Sequence, residues 1–472
     1  MPPSPRIVIV GAGFSGLSTA WELQSRLPEA QITLLEVAPE PGGTLQGYRR
    51  DGYLVEYGPI SFPGHRLGLM KLCHKLELTK DLLAPSSAMS RKYILHEGQL
   101  QAVPQKLGAA LTSPLLGFGS AFKLATERFR SNSGGKSKAD ETVAQFAERR
   151  VGPELGSIVA DTLATEYFCG EGKAISVRAG FPQLARAERE YGSVLAGWPR
   201  LKEAERLAAA KAGITLTSDV TQHYSFADGL KTLAQRLVDK LQAKIELGIG
   251  AQTLRPAADG MGCRWLVHTS DGQVRQADHV ILTCALWKQA ALLADTDTAL
   301  ADAMLAIPHA GIITMALGYP RSLVPDVVES QQIVLPQRYK RELLRIEFPS
   351  SLFPHRAPDN HVLLQITMGG FHRPELMAWD EDALIVTVRR ELRALLRIVK
   401  PPKFCHIRRM PRAMPQYTLG HQNRIQQVEN LARAHPGLHV GGNALHGISL
   451  HDLAALAERT ARTIRDEVKT GP

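Results

Sequence analysis

Short apolar runs alternate with stretches of helical spacing along this chain, which is the pattern of an α/β protein. Arg6–Val10 (RIVIV) is short, β-branched and ended by glycine, as a buried parallel strand is. Leu17, Ala20, Trp21 and Leu27 then recur near helical spacing, and Ile32–Leu35 makes a second strand that Glu36 ends. At the far end, Leu438–Val440 is a short strand running into glycines, after which Leu453, Leu456, Thr460, Ile464 and Val468 mark one face of a helix. In the middle, Ile245–Leu247 and Trp265–Thr269 read as strands. Residues 107–212 are rich in helix formers, and 307–403 read as strands with a helix over Asp380–Ile398. Neither an internal repeat nor a low-complexity tract is visible. Leu107–Phe122 carries no charge but holds Pro114, Gly117 and Gly119. It reads as a helix-loop segment, with a patch dipping into a membrane surface as the other reading.

The turn between the first strand and helix is Gly11-Ala12-Gly13-Phe14-Ser15-Gly16. Strand, glycine turn, helix, strand and acid follow one another within about thirty residues, as dinucleotide binding requires. Gly11 permits the tight turn, Gly13 lets backbone approach a pyrophosphate, and Gly16 lets helix and strand pack closely. The helix start offers N–H groups and a positive dipole end to phosphates. Glu36 follows Gly16 at the interval of about 20 residues where a carboxylate accepts both ribose hydroxyls, and it would repel a 2′-phosphate. The choice left is NAD or FAD. Pro41-Gly42-Gly43 and Gly58-Pro59-Ile60-Ser61-Phe62 suit the longer footprint of FAD, although both also read as ordinary turns.

The length, 472 residues, calls for two or three packed units. A net charge of +10 favours anionic partners, with a merely solvated basic surface as the simpler reading. No basic cluster interleaves with aromatics, so nucleic-acid binding is not expected. Five cysteines without a C-x-x-C pair suit a reducing compartment. The opening residues lack a charged region before an apolar stretch, so no signal peptide is expected. No apolar run reaches the roughly 18 residues of a spanning helix. Sixteen histidines contain no ligand spacing such as H-E-x-x-H, so no metal is expected.

Several blocks along the chain are more specific. Gly52-Tyr53-Leu54-Val55-Glu56-Tyr57-Gly58-Pro59 matches G-[FY]-x-[VI]-E-x-G-P, and Asp228-Gly229-Leu230-Lys231-Thr232-Leu233 matches G-G-L-Q-x-L with two changes. Ala413-Met414-Pro415-Gln416-Tyr417-Thr418-Leu419-Gly420-His421 is close to A-I-P-Q-Y-T-L-G-H, and Gly442-Asn443 through Gly447-Ile448 to Asp452 is similar to A-G-N-x-x-x-G-V-x-x-x-D. On these blocks the sequence resembles the protoporphyrinogen oxidases of the flavin amine oxidase superfamily over nearly its whole length. The resemblance implies a discontinuous Rossmann-like FAD-binding domain (1–88, 213–305 and 404–472), a helical lobe (89–212) and a mixed-sheet substrate domain (306–403).

The resemblance also implies cofactor contacts at Gly11, Gly13, Phe14, Ser15, Gly16, Glu36, Gly42, Gly43, Gly58, Pro59, Ile60, Ser61, Ala251, Gly442, Asn443, Ile448 and Asp452. Arg91, Lys92, Gln332 and Thr367 become the substrate-binding candidates, Arg91 and Lys92 standing where the family has a carboxylate-binding arginine. The implied activity is oxidation of a porphyrinogen to a porphyrin. Flavin takes two electrons per round and dioxygen reoxidises it to give hydrogen peroxide. No acid–base dyad is required. His446 and His451 near the flavin read as polar loop residues. Implied partners are the porphyrinogen and dioxygen, with a ferrochelatase, a second copy of the chain and a peripheral contact with the cytoplasmic membrane as candidates, in the cytoplasm. Three departures stand out: Ser330-Gln331-Gln332 for G-F-G, Glu166-Tyr167-Phe168-Cys169-Gly170 for G-[IV]-[YF]-A-G, and His451-Asp452-Leu453 for N-D-C. They leave open coproporphyrinogen as substrate, another flavin oxidase such as an amine oxidase or desaturase, and a non-catalytic flavin-binding homologue.

Overall fold

The computed structural model describes residues 4–470 apart from 86–90, 105–106, 112, 114, 116–117 and 130–138. Arg6–Val10 lies at the centre of a five-stranded sheet. Its order is Leu438–Val440, His279–Leu282, Arg6–Val10, Gln31–Glu36, Lys244–Leu247, with every pairing parallel. The continuous apolar run is explained by burial on both sides, because side chains alternate across a strand. Ile7 and Ile9 enter the core beneath helices Phe14–Arg26 and Leu450–Thr470. Val8 and Val10 enter the opposite core, which holds helices Leu286–Leu293 and Thr298–Leu305 and a three-stranded antiparallel sheet of Ala251–Pro256, Trp265–Thr269 and Val274–Ala277. On Leu450–Thr470, Leu453, Leu456 and Ile464 are buried while Thr460 and Val468 are half-buried, so one apolar stripe lies against the first helix.

The second sheet has seven strands in the order Phe404–Pro415, His309–Pro320, His361–Gly369, Leu343–Glu347, Gln332–Val334, Lys92–His96, Gln99–Ala102. All neighbours are antiparallel except Gln332–Val334 with Lys92–His96. Helix Glu381–Leu396 covers one face through Leu384, Val388, Leu392 and Leu396, with Asp380 as its N-cap, accepting from the Ala383 amide at 2.7 Å. The boundaries drawn at 89 and 404 cut across this sheet. Phe404–Pro415, grouped with the nucleotide unit, is its edge strand, and the hairpin 92–102, grouped with the helical lobe, closes its other edge. An apolar pattern shows that a strand exists but not its partner.

Helices Val143–Val151, Pro153–Phe168, Pro182–Tyr191 and Val194–Lys211 make the helical part. Within the uncharged stretch 107–122 the described pieces are helix Leu107–Leu111 and the start of helix Phe118–Ala125. Leu115 is buried and Phe122 is exposed, so this stretch divides between core and surface. Among the described residues no helix is long and apolar enough to cross a membrane. The turn Pro354–Arg356, between two strands of the second sheet, is tied to the short strand Tyr53–Glu56: Arg356 Nε donates to Glu56 Oε2 at 2.9 Å with both side chains buried.

Candidate functional site

At the C-terminal end of Arg6–Val10 the chain turns at Gly11, whose φ of +107° suits a residue without a Cβ. A methyl group built on Gly16 would stand 1.9 Å from the Gly11 carbonyl oxygen, so helix Phe14–Arg26 reaches the strand only with glycine there. Gly13 is that helix's N-cap and supplies no side-chain bond, and the first turn carries no acid. Its leading N–H groups therefore face outward unspent, as an anion site requires. Against this turn lies the second glycine turn. Gly42 donates its N–H to Ala12 O at 2.7 Å, Gly13 and Gly42 pair as a short parallel bridge, and a Cβ on Gly43 would come within 3.0 Å of Gly13 Cα. Two bare backbones in contact leave room that side chains would otherwise fill.

Glu36 ends its strand beside this cradle. Its Oε2 accepts from the Ala12 amide at 2.8 Å and its Oε1 from the Ala38 amide at 2.9 Å. The carboxylate is thus fixed in orientation, with a lone pair left on each oxygen for a sugar hydroxyl. Ala251 opens the next strand two residues after Ile249, whose amide donates to Glu36 O at 2.9 Å. Gly58 packs on Thr44, where a Cβ would meet the carbonyl oxygen at 2.5 Å. In the same loop Pro59 is exposed, Ile60 is buried and Ser61 Oγ meets His223 Nδ1 at 3.1 Å.

The C-terminal loop closes the same end of the sheet. Gly441 donates to Leu282 O at 3.1 Å, and Gly442 takes a φ of +112°. Tyr417, from the P-Q-Y-T-L-G-H block, is buried; its hydroxyl donates to Asn443 O and accepts from the Gly447 amide at 3.0 Å. That block therefore stitches the loop in place. Ile448 leads into Ser449, which forms a capping box with Asp452: the Asp452 amide donates to Ser449 Oγ at 3.2 Å and the Ser449 amide donates to Asp452 Oδ2 at 3.4 Å, with Ser449 Oγ also donating to Asp452 Oδ2 at 2.5 Å. Asp452 Oδ1 also meets Arg66 at 3.3 Å. His451 is not a loop residue but sits buried in the first turn of Leu450–Thr470. Its Nδ1 accepts from the Leu69 amide at 3.1 Å and its Nε2 donates to Pro63 O at 3.0 Å, so it is spent on structure. His446 is half-buried, 4.0 Å from Glu429.

Beyond Ser61 and His223 the second sheet meets the end of helix Pro153–Phe168. Lys92 Nζ and Gln332 Nε2 both donate to Glu166 Oε1, at 2.5 Å and 2.7 Å. Arg345 donates to the Glu166 carbonyl at 2.9 Å and to Thr367 Oγ1 at 3.3 Å, and pairs with Glu347 at 3.2 Å. Burial by itself would pull the Lys92 ammonium down, but the Glu166 carboxylate outweighs it and holds Lys92 up. Burial by itself would push Glu166 up, but Lys92 and the Gln332 amide hold it below the usual carboxylate range. Both ends of the pair are therefore charged. His223 faces this group; burial and then Lys92 press it to about 4, so it is a neutral imidazole at pH 7.

Lys92, Gln332 and Thr367 are thus brought into one network, whereas Arg91 lies at its rim, exposed, with its carbonyl accepting from the Gln331 amide at 2.8 Å. Sequence reasoning missed Arg345, Glu347 and His223, which carry no motif. It saw Glu166 only as a departure, and Gln332 both as a departure and as a substrate-binding candidate. Elsewhere, among the described residues, one group has potential metal-ligand geometry: His279 Nδ1 and His439 Nε2 at 3.2 Å, each 3.5 Å from Glu467. The two rings are hydrogen-bonded to each other, and the Arg264 charge acts on all three groups, which disfavours a cation.

Comparison with known proteins bears on the same parts. A curated relative, the coproporphyrinogen III oxidase of Bacillus subtilis (strain 168), is 25% identical, covering 94% of this chain and 95% of its own. The chloroplastic protoporphyrinogen oxidase of Nicotiana tabacum is 28% identical over 94% of this chain and 82% of its own. A solved structure from Exiguobacterium sp. 255-15 overlays with a TM-score of 0.80 at 24% identity, covering 98% of this chain and 99% of the other; at that identity the likeness is one of fold. Residues 14–465 match the flavin containing amine oxidoreductase family. That match runs from the helix that opens the glycine cradle to the last turns of the helix that closes it, and the bare-backbone cradle fits an FAD pyrophosphate, so the chain belongs to the flavin containing amine oxidoreductases and is an FAD-dependent enzyme.

Proposed function

We propose that this enzyme oxidises a porphyrinogen to the porphyrin, with protoporphyrinogen IX as substrate and dioxygen as electron acceptor. The observation that carries the reading is the enclosed polar wall of Lys92, Glu166, Gln332 and Arg345, joined to the FAD cradle through Ser61 and His223. It stands in a chain whose relatives named as porphyrinogen oxidases align over 94% of its length. In this reading Phe14, Ser15 and Gly16 offer N–H groups to the pyrophosphate, Gly13 and Gly43 give it room, and Glu36 holds the ribose. Gly442, Asn443 and the Ile448 loop border the flavin. FAD supplies a two-electron acceptor that dioxygen restores, releasing hydrogen peroxide. The protein's share is to hold the macrocycle against the wall, and a wall whose charges are already balanced does this without a dedicated acid or base.

Relatives carry both porphyrinogen names, and coproporphyrinogen III is the second reading. Anaerobic mixing of the FAD-loaded protein with each porphyrinogen tests both. Bleaching of the yellow flavin, followed by oxygen uptake and peroxide release on aeration, is the expected result, and the faster partner names the substrate. A flavin that stays yellow with both would sink the proposal and leave a binding protein or an oxidase of another compound class.

A further inference from the structure

Glu166 and Gln332 occupy positions where the resembling motifs have glycines, and in the fold these two departures bond to one another. Glu166 Oε1 accepts from Gln332 Nε2 at 2.7 Å and from Lys92 Nζ at 2.5 Å. Its Oε2 makes no hydrogen bond to any described residue; the Arg345 charge and the Tyr167 ring act on the carboxylate through space alone. The surroundings are enclosed yet open to a ligand. Lys92, Glu166 and Arg345 keep 27%, 14% and 22% of their side-chain surface, although protein surrounds each of them. Groups that are deep but still accessible line a cavity; embedded groups would have no such surface.

A carboxylate pinned through one oxygen has already lost its rotamer freedom. The other oxygen is then a prepared acceptor, and a cavity acceptor needs a donor. Charge-assisted hydrogen bonds are the strong ones. On a porphyrinogen the donors are the pyrrolic N–H groups, directed toward the middle of the macrocycle, while its carboxylates lie at the rim. We propose that Glu166 is the substrate-orienting acceptor of the cleft: Lys92 and Gln332 hold Oε1, and Oε2 receives pyrrolic N–H groups. This rests on the porphyrinogen reading above. It also changes the task of Lys92, which fixes the acceptor and is not free to hold a substrate carboxylate. Glu166 has a binding role here. The pairing with Lys92 keeps it anionic, so it is a weak base and is not assigned the departing proton.

The test titrates FAD-loaded protein with a carboxylated meso-octamethylporphyrinogen, whose quaternary bridges block oxidation, and with its tetrafuran analogue. The pyrrolic N–H groups of the first turn out of the ring plane toward an acceptor; in the second, oxygen replaces every N–H. A lost charge-assisted bond corresponds to roughly ten- to a hundredfold in affinity. The wild type is expected to prefer the pyrrole macrocycle by about tenfold or more. Glu166→Gln and Glu166→Gly are expected to lose most of that preference while holding the furan macrocycle within about twofold and retaining full flavin content. The proposal is overturned if the wild type shows no preference, if the preference survives both substitutions, or if both ligands weaken together, which would mark Glu166 as merely structural. Failure of the porphyrinogen reading is separate: there, the wild-type flavin stays oxidised in the presence of both porphyrinogens.

Discussion

At Gly16 a single methyl group separates a working cradle from a broken one. The built Cβ lies 1.9 Å from backbone, which cannot move without shifting the strand end, so the cost exceeds the usual overpacking figure of about 1–3 kcal/mol. Gly16→Ala is expected to purify with little flavin and melt several degrees lower, as the absorbance ratio of flavin to protein and a thermal scan would show. A variant as yellow and as stable as the wild type would mean that the helix has another way to seat. The same logic makes Lys92 and Glu166 intelligible only as a pair. Each would be costly when buried alone, and together they are held charged by one another. Sequence inspection saw Lys92 as a free cation because its partner lies on a helix elsewhere in the chain.

Between elements, the most exacting joint is Glu56 with Arg356. The Arg356 guanidinium also donates to Phe226 O at 3.0 Å, Ala227 O at 2.9 Å and Ser225 Oγ at 2.8 Å, while Glu56 Oε1 accepts from the Leu230 amide at 2.7 Å. Strand Tyr53–Glu56, the 225–230 turn and the second sheet's connecting turn are therefore locked at one point. Removing one partner leaves a buried charge, so Arg356→Met should cost about 3–5 kcal/mol in equilibrium unfolding. Adding Glu56→Gln to it should recover part of that loss. Glu56 was visible as the acid of G-[FY]-x-[VI]-E-x-G-P; Arg356 belongs to no motif, and nothing local marks it for burial. Strand Phe404–Pro415 shows the same limit, since its partner His309–Pro320 is chosen by backbone pairing across the fold.

Over the whole molecule, buried imidazoles set the acid limit. Burial holds His223, His279 and His421 at about 4, and His65 and His439 at about 3. In the unfolded chain they titrate near 6.5. Below that value the unfolded state takes up protons that the native state refuses, so stability falls as pH drops from about 6.5 toward the folded values. Each imidazole contributes at most about 1.4 kcal/mol per pH unit, and above about 6.5 none of this loss operates. Urea midpoints at pH 7 and pH 5 should therefore fall with acidification at an unchanged slope. A midpoint that rose would mean that these rings are charged in the native state.

What the chain determined locally is legible in the sequence itself. The strand, turn, helix and acid of the first 36 residues depend on neighbours within a few turns, and backbone geometry leaves glycine little substitute there. Belonging to a flavin family followed from the same short-range blocks. Tertiary structure alone decided the order of the second sheet, the spending of His451 on two backbone groups, and the meeting of Lys92, Glu166, Gln332 and Arg345. Those outcomes depend on which distant residues share a buried site, where the cost of an unpaired charge selects the partner. Spacing along a chain carries no record of that cost.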